Sequence, residues 1–102
     1  MAYDPGALEA ALAAAVGEDS PLIAELRGAF LSSADAHLAA LRNTKDAGDW
    51  SSRAQRLHGL AASFGALRVM DAAQAAGSVP AGNARALARV AASIDALRDG
   101  LA

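Results

Sequence analysis

The segment WSSRAQRLHGLAASFGA, residues 50–66, contains the most regular hydrophobic pattern of the chain. Intervals of four, three, four and three residues separate Trp50, Ala54, Leu57, Ala61 and Phe64. At 100° per residue, these positions fall within about 80° of one another around a helix. The segment is therefore predicted to be an amphipathic helix with one narrow buried face, bent or ended at Gly65.

The opposite side of this helix combines a glutamine with small residues. Gln55 lies about 140° from the centre of the buried stripe, Gly59 about 180° and Ala62 about 120°, while His58 flanks them at about 80°. A glycine in the middle of a helix costs roughly 1 kcal/mol relative to alanine. Either another protein approaches closely at Gly59, or the helix simply tolerates this glycine, and the helical wheel favours neither interpretation.

Capping and breaking residues predict two helices before this segment. Asp4-Pro5 and Ser20-Pro21 each place a capping residue before a proline, which suits the first turn of a helix. The first helix is short and ends at Gly17, and the second is long and runs to Ala47-Gly48. Asp49 is then predicted to cap the next helix, and so short a connection makes the two helices antiparallel neighbours.

Beyond Gly65 the helical pattern resumes and continues to Gly77. Residues 78–82, SVPAG, are predicted to form a loop, and Asn83 is predicted to cap the last helix. Repeats and the alternation typical of strands do not occur. Residues 1–102 are therefore predicted to form a single all-α domain, an antiparallel four-helix bundle with a short additional N-terminal helix.

Composition restricts the chemistry that the chain can perform. It has 102 residues, a net charge of −2 and no cysteine, which excludes disulfides, thiolate metal sites and a cysteine nucleophile. Two scattered histidines predict neither a metal site nor a cofactor. The small net charge gives no general attraction to nucleic acid or to a membrane surface. Acidic residues near the start and the lack of an apolar run of about 18 residues favour a cytoplasmic protein.

Residues 54–66 resemble the signature of histidine-containing phosphotransfer (HPt) domains, which is roughly Ala-His-x-Leu-Lys-Gly-x-Ala-Ala-x-Phe-Gly-Ala. The matching positions are Ala54, Leu57, Gly59, Ala61, Ala62, Phe64, Gly65 and Ala66. A Gly-Asp-Trp turn and a long preceding helix, both common in the family, extend the resemblance to about residues 20–100. The resemblance implies a helical bundle that exchanges phosphoryl groups with the receiver domain of a response regulator or with a hybrid histidine kinase.

Two positions depart from the family pattern. The phosphoacceptor histidine of the family aligns with Gln55, and its lysine aligns with His58. A glutamine amide has its nitrogen lone pair delocalised into the carbonyl, so it cannot attack a phosphoryl group as an imidazole does. The resemblance therefore implies a degenerate HPt-like domain that binds its partners as a monomer, through a surface that we call the 52–63 face. That face consists of Ser52, Gln55, Arg56, His58, Gly59, Ala62 and Ser63.

Two other functions stay open. In a second alignment His58 is the phosphoacceptor, but this alignment misplaces Gly59 and needs a three-residue deletion inside a helix, which rotates everything beyond it. The chain would then be an active phosphocarrier, at most a phosphotransfer carrier without an independent catalytic site. The third possibility is a purely structural helical interaction module. His37 is predicted to be a half-buried structural histidine, and Arg53 and Arg56 suit an acidic partner.

Overall fold

The computed structural model describes residues 20–100. They form four helices, α1 (Ser20–Asn43), α2 (Ala47–Phe64), α3 (Leu67–Gly77) and α4 (Ala84–Arg98). No strand occurs in this range, so the all-α prediction is confirmed for it. None of the four helices combines the length and the apolar character needed to cross a bilayer. The predicted helix from Asp4-Pro5 to Gly17 lies outside the described residues.

The connection between α1 and α2 differs from the prediction. Helix α1 ends at Asn43, before Ala47-Gly48, and the cap of α2 is Asp46 instead of Asp49. The Asp46 carboxylate accepts a hydrogen bond from the backbone nitrogen of Asp49 at 2.8 Å. The Asp49 carboxylate in turn accepts one from the Thr44 hydroxyl at 2.7 Å. The prediction of an Asp49 cap is therefore wrong, because Asp49 lies inside the first turn that Asp46 caps.

The break between α2 and α3 is confirmed at Gly65, which has a φ of 69°. This left-handed conformation is unfavourable for residues with a Cβ atom and is open to glycine. The backbone nitrogens of Gly65 and Ala66 donate to the carbonyls of Ala62 and Ala61, at 3.2 and 2.9 Å. These two bonds form a Schellman motif, so the carbonyls of Ala61 and Ala62 are satisfied as the chain turns into α3.

The start of α4 is also confirmed. The Asn83 side chain accepts a hydrogen bond from the backbone nitrogen of Ala86 at 2.8 Å, as an N-cap does. Residues 78–82 connect the end of α3 to this cap. The loop predicted for residues 78–82 is therefore present.

The four helices share one core. Each packs against its neighbour in the chain, and α4 also packs against α1. Helix α2 contributes Trp50, Ala54, Leu57 and Ala61, all of them buried as the stripe predicts. Phe64 is only half-buried, and its ring lies 5.0 Å from that of Phe30 in a tilted arrangement. Alanine accounts for eight of the 17 buried apolar residues described, so small side chains allow the helices to pack closely.

Polar contacts between the helices include a buried one at Trp50 and an exposed one at Arg98. The indole nitrogen of Trp50, at the start of α2, donates to the carbonyl of Ala76 near the end of α3 at 2.8 Å. Arg98 of α4 pairs with Asp35 of α1 and, at 2.9 Å, with Asp95 of its own helix. The Arg98 pairs are largely exposed, so the buried Trp50 bond is the stronger constraint on helix positions.

Candidate functional site

Most of the 52–63 face is open to solvent. Six of its seven residues are exposed, namely Ser52, Gln55, Arg56, Gly59, Ala62 and Ser63. Gln55 is thus exposed in the middle of α2, as the helical wheel predicts. Because the buried stripe occupies the other side of the same helix, the position of Gln55 is fixed by the core packing of Ala54 and Leu57.

Gly59 has no structural reason to be a glycine within the described part of the chain. A Cβ atom built on it would meet no described atom within 4 Å, and the residue is helical. The hydroxyl of Ser63 donates to the Gly59 carbonyl at 3.0 Å, which adds a local bond without filling the space above the glycine. The helix therefore carries the cost of a glycine at a position where alanine would fit.

His58 is the exception on this face, because it is half-buried and leans toward α3. Its Nδ1 atom lies 3.2 Å from the backbone carbonyl of Met70. A carbonyl oxygen only accepts hydrogen bonds, so this contact requires the proton on Nδ1. In the neutral ring the lone pair is then on Nε2, which is the nitrogen left for a ligand or an electrophile.

Gln55 and His58 line a groove between α2 and α3 with a volume of about 300 Å³. We call it the α2/α3 groove. Its polar lining residues are Ser51, Gln55, His58, Gln74 and Ser78. Its remaining lining is small, formed by alanines and Gly77. Of these residues only Gln55 and His58 are predicted as site residues. Gln74 and Ser78 become their neighbours only through the packing of α3 on α2, whereas Ser51 lies on α2 one turn before Gln55.

A basic group lies on the other side of α2, toward α1. His37 of α1 is half-buried, as predicted, and its Nδ1 atom is buried without a hydrogen-bond partner among the described residues. Burial lowers the pKa of His37, and the charges of Arg53 and Arg56 lower this pKa further. Arg53 also lies 3.9 Å from an oxygen of Asp49, a loose and largely exposed pair.

The lowered pKa of His37 predicts a pH dependence of stability. The folded state disfavours protonation, so the stabilisation is fully present above the ordinary histidine pKa of about 6.5. It is lost as the pH falls below that value toward the lower pKa of the folded state. Urea unfolding of the wild type and of His37→Gln at several pH values between about 5 and 8 tests this. The free energy of unfolding should fall more steeply with acidification in the wild type, whereas parallel curves would contradict the assignment.

Neither metal chemistry nor a relative of known function identifies the site. Within residues 20–100, no three histidine, cysteine, aspartate or glutamate side chains gather as ligands of a metal ion would. Comparison of the chain with protein families, with curated proteins and with solved structures found no match. The geometry of α2 and of the α2/α3 groove is thus the basis for inferring a function.

Proposed function

We propose that the chain is an HPt-like signalling module of a two-component phosphorelay. It binds a receiver domain or a hybrid histidine kinase through the 52–63 face and carries no phosphate at Gln55. Its helices α1–α4 form the antiparallel four-helix bundle of such a module, and it acts in the cytoplasm as a monomer. The observation that carries the proposal is the open surface at Gln55 and Gly59, where no described neighbour requires a glycine.

The burial pattern of residues 54–66 supports this proposal. Among the positions that resemble the HPt signature, Ala54, Leu57 and Ala61 are buried in the core. The position equivalent to the phosphoacceptor, Gln55, is exposed together with Gly59. A signature that specifies both the core of a bundle and a docking surface must contain buried positions and exposed positions. Only the exposed positions can contact a partner.

The chemistry of Gln55 suits binding without transfer. A carboxamide offers both a hydrogen-bond donor and an acceptor, as an imidazole does, but it lacks a nucleophilic nitrogen. A partner bound at Gln55 would have its docking surface blocked but would neither lose nor gain a phosphoryl group. The module would then compete with an active phosphotransfer protein for the same receiver or kinase.

Charge favours an acidic partner at one edge of the face. Arg56 is exposed, and Arg53 is partly exposed one turn away. Arginines at the rim of an interface mainly accelerate association and make it sensitive to salt. Binding through the 52–63 face should therefore weaken as the ionic strength rises, since the screening length is about 8 Å at physiological salt.

One observation favours a second candidate, an active phosphocarrier that uses His58. The contact between Nδ1 and the Met70 carbonyl leaves the basic lone pair on Nε2. In this function Nε2 would attack the phosphoryl group of a receiver phosphoaspartate, forming a P–N bond and releasing the aspartate carboxylate. His58 is half-buried, however, so a partner has less access to it than to the exposed Gln55.

A matched pair of glycine substitutions tests the proposed docking face. Gly59→Leu places a large side chain in the open space above α2 and should weaken binding to a cognate receiver domain at least about tenfold, which corresponds to about 1.4 kcal/mol. Gly28→Leu is the control, since Gly28 is also an exposed helical glycine with open space around it, but it lies on α1. Calorimetric titration against a panel of receiver domains measures both affinities.

Several outcomes would decide against the proposal. Equal affinities for Gly59→Leu and Gly28→Leu would exclude the 52–63 face as the interface. Failure of the wild type to bind any receiver domain or kinase would overturn the signalling function and leave a structural module. An acid-labile, alkali-stable phosphoryl adduct that forms on the wild type and disappears in His58→Ala would establish the second candidate instead.

A further inference from the structure

The α2/α3 groove has a lining that is polar but uncharged. Its hydrogen-bonding groups are two carboxamides, two hydroxyls and an imidazole, on Gln55, Gln74, Ser51, Ser78 and His58. We propose that this groove binds an uncharged carboxamide, the asparagine or glutamine side chain of a partner docked on the 52–63 face. The inference rests on the proposed function, because the docked partner supplies the side chain.

The lack of charge in the groove excludes ions as good ligands. None of its described lining residues is an arginine, lysine, aspartate or glutamate. An anion or a cation that enters a groove without a counter-charge loses hydration that uncharged hydrogen-bonding groups replace only in part. An uncharged polar group loses much less hydration free energy on entry. Its hydrogen bonds with the lining residues replace what it loses. The favoured ligand is therefore neutral, and it must both donate and accept.

A carboxamide matches the groups that the groove presents. Gln55 and Gln74 each carry one carbonyl oxygen and one NH₂ group, so either can form a reciprocal pair of hydrogen bonds with another carboxamide. The Met70 carbonyl holds the proton of His58 on Nδ1, so Nε2 is an acceptor for a further N–H of the ligand. The hydroxyl of Ser78 donates to the backbone carbonyl of Gln74 at 3.3 Å and so does not occupy the Gln74 carboxamide.

The size and position of the groove suit one inserted side chain. Its volume of about 300 Å³ is at the lower end of the range for ligand pockets. A Cβ atom on Gly77 would lie 3.7 Å from Cβ of Ala54, so the helices are close together beneath the groove. Gln55 belongs both to the groove and to the 52–63 face, and a partner on that face therefore has direct access to the groove.

Titration of the isotope-labelled chain with propionamide tests the inference by NMR. Saturable shifts are expected for the side-chain NH₂ signals of Gln55 and Gln74. The NH₂ signal of Asn43, whose side chain donates to the Ala39 carbonyl on α1, is the internal control and should not saturate. Propionate and propylammonium, which have similar size but opposite charges, should give no saturable shift. The absence of saturation with propionamide, or equal binding of either ion, would overturn the inference.

Gln74→Met removes the carboxamide of an exposed residue while keeping a side chain of similar length. It should weaken propionamide binding at least about fivefold, and an unchanged affinity would contradict the inference. Gln74 lies on α3, outside the 52–63 face, which separates the two proposals. A receiver domain whose affinity falls with Gly59→Leu but not with Gln74→Met would overturn the inserted carboxamide and retain the docking face. Propionamide binding without any receiver binding would overturn the proposed function and with it the partner side chain.

Discussion

Trp50→Ala is expected to reduce the free energy of unfolding by about 3–5 kcal/mol, the usual cost of removing a buried large aromatic side chain. Trp50 is only 2% exposed, and its ring is the largest of the fully buried side chains. The substitution opens a cavity in the shared core and also removes the hydrogen bond to the Ala76 carbonyl. Domains of this size are stable by about 5–15 kcal/mol, so the loss is a large part of the total.

Urea unfolding followed by far-ultraviolet circular dichroism measures this effect, and Trp50→Phe is the matched control. Phenylalanine keeps most of the apolar volume but has no N–H group. The Ala76 carbonyl then retains its bonds from the backbone nitrogens of Ser78 and, at 3.3 Å, of Val79. We expect Trp50→Phe to cost about 1–3 kcal/mol, clearly less than Trp50→Ala. A loss below about 1 kcal/mol for Trp50→Ala would contradict the described core.

The double substitution Gln55→His with His58→Lys is expected to convert a chain that accepts no phosphate at position 55 into one that accepts it. The position of Gln55 is exposed, so an imidazole introduced there would have a free nitrogen within reach of a docked receiver domain. The lysine would supply positive charge one turn along the helix, where it favours the negative phosphoryl group. Removal of His58 also eliminates the competing histidine of the 52–63 face, so an adduct that appears only when Gln55→His is present is assigned to position 55.

The experiment uses a phosphorylated receiver domain that binds the wild type, with intact-mass spectrometry and acid lability as the readout. His58→Lys alone should give no adduct, since no histidine is left on the 52–63 face. Gly28→His combined with His58→Lys places a histidine on an exposed helical position of α1 and should also remain unmodified. The absence of phosphorylation in the double variant, with receiver binding retained, would show that position 55 does not correspond to the phosphoacceptor.

The helix boundaries show which parts of the fold can be predicted from the local sequence. Gly65 and Asn83 were predicted correctly because each has one dominant local role, a left-handed helix end and an N-cap. The start of α2 was predicted incorrectly, because both Asp46 and Asp49 are acceptable capping residues. The hydroxyl of Thr44 engages the Asp49 carboxylate. The choice between the two aspartates therefore depends on a residue of the connection that the capping pattern does not include.

Only the part of the candidate site that lies on one helix could be predicted from the sequence. The exposure of Gln55 and Gly59 follows from the angle between these residues and the buried stripe of α2. The α2/α3 groove depends on how α3 is rotated and placed against α2, which periodicity within a helix does not specify. Gln74 therefore could not be assigned to the site from the sequence. Phe64 is the last residue of α2. Its half-burial therefore also depends on how the chain continues into α3, which the periodicity of α2 does not specify.

The many alanines of the core have a further thermodynamic consequence. An alanine has no side-chain rotamers to restrict, so its burial adds almost no conformational entropy cost and also contributes little apolar area. Most of the hydrophobic free energy must then come from the nine larger buried side chains, which are Trp50, Phe30, Leu38, Leu41, Leu57, Val69, Val90, Ile94 and Leu97. Tolerance to substitution is correspondingly uneven. These nine positions are sensitive to truncation, whereas the buried alanines are sensitive mainly to enlargement.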